Sequence, residues 1–162
     1  MKILTCASCG RCEEELLRLA LLADLPDVTL VTGRVPEGTA LPADAILCGR
    51  CATESGDAPC AVRGCPVSYP ELVYTLRCIK DGLTPRRKPY PVCIECKAAE
   101  NDCLLLRGLP CRGPVTEAGC GGKCPAMGQP CTGCRGDFEG ANLALWHKVT
   151  GEPGPSEGSS SS

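Results

Sequence analysis

The first 25 residues, MKILTCASCGRCEEELLRLALLADL (residues 1–25), read as a strand, a cysteine-bearing turn and a helix. Met1 to Thr5 is apolar and β-rich. Cys6, Cys9 and Cys12 follow at intervals of three, and a helix should start near Arg11 or Cys12. Glu13 to Glu15 in its first turn suit the positive end of the helix dipole, and Leu16, Leu19 and Leu22, with Leu17 and Leu21, form a broad apolar stripe. A four-thiolate site usually takes two ligands from so short a loop. Residues alone leave open whether those are Cys6 and Cys9 or Cys9 and Cys12.

Outward from this stretch the pattern continues. VTLVTG (28–33) and DAILCG (44–49) are short, β-rich and bounded by turn residues, so both read as strands. YPELVYTLRCIKDG (69–82) places Leu72, Leu76 and Ile79 on one helical face, with Pro70 near its start and Gly82 beyond its end. Strand, helix, strand, strand predicts an α/β fold with a parallel sheet whose loops gather at the carboxyl edge.

Composition limits the chemistry. Sixteen cysteines in 162 residues imply disulfides or metal. The chain shows no secretory or twin-arginine leader and no apolar run long enough for a bilayer, so a reducing cytoplasm and thiolate ligation are expected. Aromatic residues are only 3% of the chain, against 19 Gly and 15 Pro, so metal groups should replace much of the missing core. A net charge of -2 with no basic, aromatic-studded stripe gives no reason to expect nucleic acid. The run PRRKP (85–89) reads as part of a solvated linker.

Four regions are expected: an α/β domain over 1–82, a linker over 83–91, a loop-rich metal domain over 92–150 and a disordered tail over 151–162. Eight cysteines lie between Cys93 and Cys134, among segments too rich in Gly and Pro for much regular structure. Eight thiolates make two sites of four, which zinc or a 4Fe-4S cubane would accept. His147, the single histidine, reads as a surface or partner-contact residue, and Trp146, Leu143 and Leu145 as a surface that docks on another subunit.

The segment PVCIECKAAENDCLLLRGLPCRGPVTEAGCGGKCPAMGQPCTGCRG (91–136) carries CxECK, GxPCxGPVTxAGCG and CxGCRG in order. It resembles the carboxyl-terminal cluster domain of the small subunits of nickel-iron hydrogenases. The likeness is greatest to the cytoplasmic group 3 enzymes of deazaflavin-reducing, heterodisulfide-reductase-linked and sulfhydrogenase type. CGRCEEELL (9–17), GRCAT (49–53) and RGCPVSYPEL (63–72) resemble the same family more weakly.

The resemblance implies a shortened flavodoxin-like domain followed by an iron-sulfur domain, with three 4Fe-4S clusters. The proximal cluster would lie on Cys9, Cys12, Cys51 and Cys65, leaving Cys6 spare. The medial cluster would use Cys120, Cys124, Cys131 and Cys134, and the distal one Cys93, Cys96, Cys103 and Cys111. Glu14 matches a glutamate that could relay protons. The implied partners are a catalytic nickel-iron large subunit, whose nickel ligands are not in this chain, and a flavin or iron-sulfur acceptor.

Two departures stand against the family pattern. The chain crosses from VTLVTGRV (28–35) to DAILCG without an extended helical segment, and Cys6, Cys48, Cys60 and Cys78 exceed the implied ligands. Those four read as small buried residues, Cys78 on a helix, with an altered cluster or a redox thiol pair as the alternative for the three nearest the first site. The competing readings are an iron-sulfur relay in a complex without hydrogen chemistry and a zinc-bound structural module.

Overall fold

The computed structural model describes residues 1–152, and residues 153–162 of the expected tail lie outside them. The chain divides into two compact units, Met1–Arg87 and the residues from Lys88 onward. Among the described residues no helix is long and apolar enough to cross a membrane.

The first unit is mixed α/β. Strands β1 (Lys2–Thr5), β2 (Thr29–Thr32), β3 (Ala45–Cys48) and β4 (Cys60–Val62) form an all-parallel sheet in the sequential order β1-β2-β3-β4. Every residue of β2 and β3 is buried, as both faces of a parallel sheet require. Side chains alternate between two cores. Leu30, Ile46 and Cys48 join Leu16, Leu19, Val62, Leu72 and Leu76 on one face, and Val31, Ala45 and Leu47 join Val35 and Ala52 on the other. β1 lies at the edge and all four of its residues are exposed.

Helix α1 (Arg11–Leu17) begins where its acidic first turn predicts, after Gly10 at φ 79°. It then tightens into a 3-10 turn, Arg18–Leu21. That turn narrows the expected apolar stripe. Residues three apart eclipse in a 3-10 helix, so Leu16 and Leu19 are fully buried with Leu22 packed beside them. Leu17 and Leu21 rotate outward to 64% and 87% exposure, a correction to the broad face read from the sequence.

β2 reaches β3 through residues 33–44 with no helix, and α2 (Arg50–Ser55) is the short crossover from β3 to β4. Helix α3 (Tyr69–Lys80) has Pro70 in its first turn and Gly82 at φ 68° just past its end. Leu72 and Leu76 are buried, and Ile79 packs half-buried against the same core.

The second unit has little regular structure: α4 (Val92–Ala98), α5 (Lys123–Ala126) and α6 (Leu143–Thr150). Its small core contains Val92, Leu104, Cys111 and Cys131. The Cys93 and Cys96 pair lies on a helix, where loop was expected, because VCIECKA has no Gly or Pro to interrupt it.

Leu19→Ala removes a fully buried side chain and is expected to cost about 2–5 kcal/mol. Leu21→Ala should stay within about 0.5 kcal/mol of the parent. Anaerobic denaturant titration of the full chain measures both, and equal effects would contradict the observed rotation of the stripe.

Candidate metal centres

A parallel sheet brings the segments that follow its strands to one edge. Cys9 follows β1, Cys12 stands on α1, Cys51 on α2 after β3, and Cys65 in the turn after β4. All four line a single cleft, and Cys48 from the end of β3 lines it too. Cys6 is not among its lining residues and packs instead toward the opposite face, against the core of Val31, Val35 and Leu47.

The cleft is narrow, about 20 Å³. Cys9, Cys51 and Cys65 are exposed on turns or helix starts, whereas Cys12 is half-buried. Burial pushes the Cys12 thiol up, and the Val67 amide pulls it down. Burial also pushes Cys48 strongly up, with Cys12 and Cys60 adding to the effect. Gly49, at φ 94°, makes this approach possible: a Cβ there would lie 2.6 Å from Cys12 Sγ.

One buried side-chain oxygen, Glu13 Oε2, lacks a hydrogen-bond partner among the described residues, and the Thr32 hydroxyl faces the Cys12 thiol; both residues line this cleft. An orphaned buried oxygen beside a thiol cluster is what a site built for a further group leaves behind. The other Glu13 oxygen accepts from the Ser8 hydroxyl. Glu14 is exposed on α1, so it is Glu13, which the sequence reading did not single out, that faces the thiols.

In the second unit Cys93, Cys96, Cys103 and Cys111 line one cavity of about 280 Å³ with an otherwise largely apolar wall. α4 presents Cys93 and Cys96 one turn apart, hence on one face. Burial pushes the Cys93 thiol up to about 12, reinforced by Cys111, Cys96, Cys103 and Cys131. Gly113 closes over the sulfurs, since a Cβ there would lie 3.2 Å from Cys93 Sγ and 3.4 Å from Cys111 Sγ. The donor set is all thiol. None of Cys120, Cys124, Cys131 and Cys134 lines the cavity.

Those four occupy the adjoining loops. Cys124 stands on α5, Cys131 is buried, and Cys120 and Cys134 are half-buried. Cys120 packs against the core that contains Cys111 and Cys131. The Cys131 amide donates to Cys111 Sγ at 3.3 Å, and the Arg112 amide to the Cys131 carbonyl at 2.9 Å, so the two quartets abut. Burial raises the Cys131 thiol, while the Gly133 amide and Thr116 hydroxyl lower it. Arg135, 1% exposed, donates Nε to the Ala118 carbonyl at 2.9 Å and so ties the segment after Cys134 to the one before Cys120.

Trp146 corrects an expectation. It is buried, its indole N–H donates to the Cys111 carbonyl at 2.8 Å, and the Arg112 guanidinium lies 4.7 Å from its ring centroid. It holds a cysteine segment in place and is not a docking surface. Leu145 and Val149 are the exposed apolar residues of α6, at 55% and 62%.

None of the sixteen cysteines, all of them among the described residues, is joined in a disulfide. Among the described residues no group of three or more His, Cys, Asp or Glu side chains converges tightly enough to hold a single metal ion. Four thiolates on a cubane stand at separate corners of the cluster. The 280 Å³ cavity with its thiol wall fits such a group. The narrower cleft offers the donor set in much less room.

No protein-family model matches the chain. It is 44% identical to the delta subunit of sulfhydrogenase 2 of Pyrococcus furiosus over 98 residues, 60% of this chain and 41% of that one. To a vhu-type F420-non-reducing hydrogenase subunit of Methanocaldococcus jannaschii it is 30% identical over 106 residues, 51% of this chain and 37% of that one. A shorter match of 37 residues, at 49% identity, joins 23% of it to 12% of the iron-sulfur subunit of an F420-non-reducing hydrogenase of Archaeoglobus profundus. The chain is thus similar to hydrogenase subunits, parts of oxidoreductase complexes, and spans less than half the length of these relatives.

Trp146→Phe keeps an aromatic ring in place but strips the Cys111 carbonyl of its indole donor. A cost of about 1–3 kcal/mol is expected. Val149→Ala, on the exposed face of the same helix, should change stability by less than about 0.5 kcal/mol. Anaerobic denaturation of the two variants checks the contrast.

Proposed function

We propose that the chain is an iron-sulfur electron-transfer subunit of a cytoplasmic nickel-iron hydrogenase complex. The observation that carries the reading is the convergence of Cys93, Cys96, Cys103 and Cys111 on one cavity of about 280 Å³ whose lining includes no carboxylate or histidine. An all-thiolate set in an apolar wall, with glycine over the sulfurs, suits a 4Fe-4S cubane and leaves more room than one zinc ion fills. The similarity to hydrogenase subunits, one of them named an iron-sulfur subunit, supports the same assignment.

On this reading Cys9, Cys12, Cys51 and Cys65 hold a proximal cluster facing a large subunit with the nickel-iron centre. Cys120, Cys124, Cys131 and Cys134 hold a medial one, and Cys93, Cys96, Cys103 and Cys111 a distal one facing a flavin or iron-sulfur acceptor. Bound clusters supply one-electron transfer without proton chemistry of their own. The protein's residues do the rest. The apolar wall around Cys93 and Cys111 limits water at those sulfurs, and ligation would take the place of the thiol proton. Glu14 lies exposed on the helix that carries Cys12 and is the proposed proton relay toward the large subunit, with Glu13 behind it in the cleft.

The first unit is read as a shortened flavodoxin-like domain. A flavodoxin-like sheet has the order 2-1-3-4-5, and removing its outer strand leaves a sequential order such as the one observed. The helix-free passage from β2 to β3 is a second shortening. These losses favour, as the second reading, the same relay serving a complex without hydrogen chemistry.

Anaerobically purified protein should contain about twelve iron atoms per chain, from three four-iron clusters. Colourless protein with stoichiometric zinc would replace this reading with the structural-module one. Cys6→Ser should keep all the iron, whereas Cys12→Ser should lose about four atoms while the clusters of the second unit persist. The reverse pattern would show that the other pair of the opening loop holds the metal. Identifying the large subunit that co-purifies distinguishes the two redox readings.

A further inference from the structure

Glu95 stands between Cys93 and Cys96 on α4. Its Oε2 accepts two backbone N–H groups, from Gly119 at 2.9 Å and Gly121 at 2.8 Å, the residues on either side of Cys120. Its Oε1 pairs with Lys88 Nζ at 2.9 Å, and the Glu95 side chain is only 13% exposed. Burial raises the Glu95 carboxyl, but the two amides and the lysine outweigh it and hold it below the usual range.

The turn it grips is not regular secondary structure. Gly119 and Gly121 have φ of 131° and 69°, conformations that only glycine adopts readily, and side-chain bonds from Arg135 to the Ala118 carbonyl and from Asn101 to the Gly122 carbonyl flank the Glu95 contact. A second contact lies alongside: Gly122 sits so near α4 that a Cβ on it would come within 2.9 Å of Cys96 Cα. Two charge-assisted bonds to one oxygen, partly removed from water, are the strongest polar link between this turn and the helix.

We propose that Glu95 is a positioning residue for Cys120. The helix that carries two thiols of one quartet thereby fixes the turn that carries the first thiol of the other. The carboxylate thus ties the Cys120 turn to α4, while the Cys111 and Cys131 segments are joined separately. This rests on the cluster assignment above for its functional meaning, though the contact itself does not. Asp in this place is too short by one methylene to span the gap. Gln keeps one acceptor oxygen but turns an amide toward Lys88.

The test uses the full chain, purified anaerobically in its complex, as parent, Glu95→Ala and Glu95→Gln. Hydrogen exchange over residues 118–123 is read by mass spectrometry, together with iron content and electron paramagnetic resonance of the reduced protein. In Glu95→Ala the amides flanking Cys120 should exchange about ten- to a hundredfold faster, the range that loss of bonds to a charged acceptor implies. Iron should fall from about twelve to about eight atoms, with the medial signal lost and the distal one kept. Glu95→Gln should show intermediate exchange and retain the medial signal.

Unchanged exchange and iron in Glu95→Ala would overturn the proposal. If Glu95→Ala does not fold, Glu95→Gln decides: equal loss of both signals would make Glu95 a general structural residue and overturn it as well. Parent protein with no iron but protected amides that Glu95→Ala exposes would sink the cluster assignment and leave the positioning contact standing.

Discussion

The second unit depends on burying sulfur where most proteins bury hydrocarbon. Its small core counts Cys111 and Cys131 beside Val92 and Leu104, and Cys120 packs against it. A thiol is a small hydrophobe while it keeps its proton, so the same residues fill space and wait as donors. Burial that pushes Cys93 up to about 12 shows the cost of ionising such a thiol with nothing to compensate. A metal group bound there would take over from the proton and remove that cost, which would couple ligation to folding. With aromatic residues at 3% of the chain, little else is available to stiffen loops so rich in glycine and proline.

Those loops are held at a few points by polar groups that reach across them. Trp146 holds the Cys111 carbonyl, Arg135 the Ala118 carbonyl, and Glu95 the amides beside Cys120. Each of these bonds is made to backbone at a cysteine or within two residues of one. The first unit solves the same problem differently. There the parallel sheet supplies the framework, and the thiols stand just beyond its strand ends. One half positions cysteines by topology and the other by side-chain ties.

Much of the first unit was legible because its signals are local and periodic. The burial of β2 and β3, the start of α1 near Arg11 and the buried pair Leu72 and Leu76 follow from patterning. Leu17 and Leu21 were misread because a change from α to 3-10 winding alters which residues share a face, and nothing in RLAL announces it. Trp146 was misread because its partner, the Cys111 carbonyl, lies 35 residues away and backbone carbonyls leave no mark in a sequence. Glu95 shows the same limit. The motif that contains it was visible, but its two acceptor contacts are to glycine amides more than 20 residues on. Glu13 and Glu14 were separated only by the phase of α1, which turns one into the cleft and the other to solvent.

The abutment of the two quartets in the second unit follows from the same economy of core. Cys131 donates its amide to the sulfur of Cys111, and Cys111 returns a raised cost of ionisation to Cys131. A second thiolate nearby disfavours the charged form of Cys131. The two residues share one small patch of core. Groups bound by the two quartets would feel each other's charge through that patch, little screened by water. A unit with a larger hydrocarbon core could keep its two thiol sets apart, but here the sulfurs are much of the core, and closeness is the consequence.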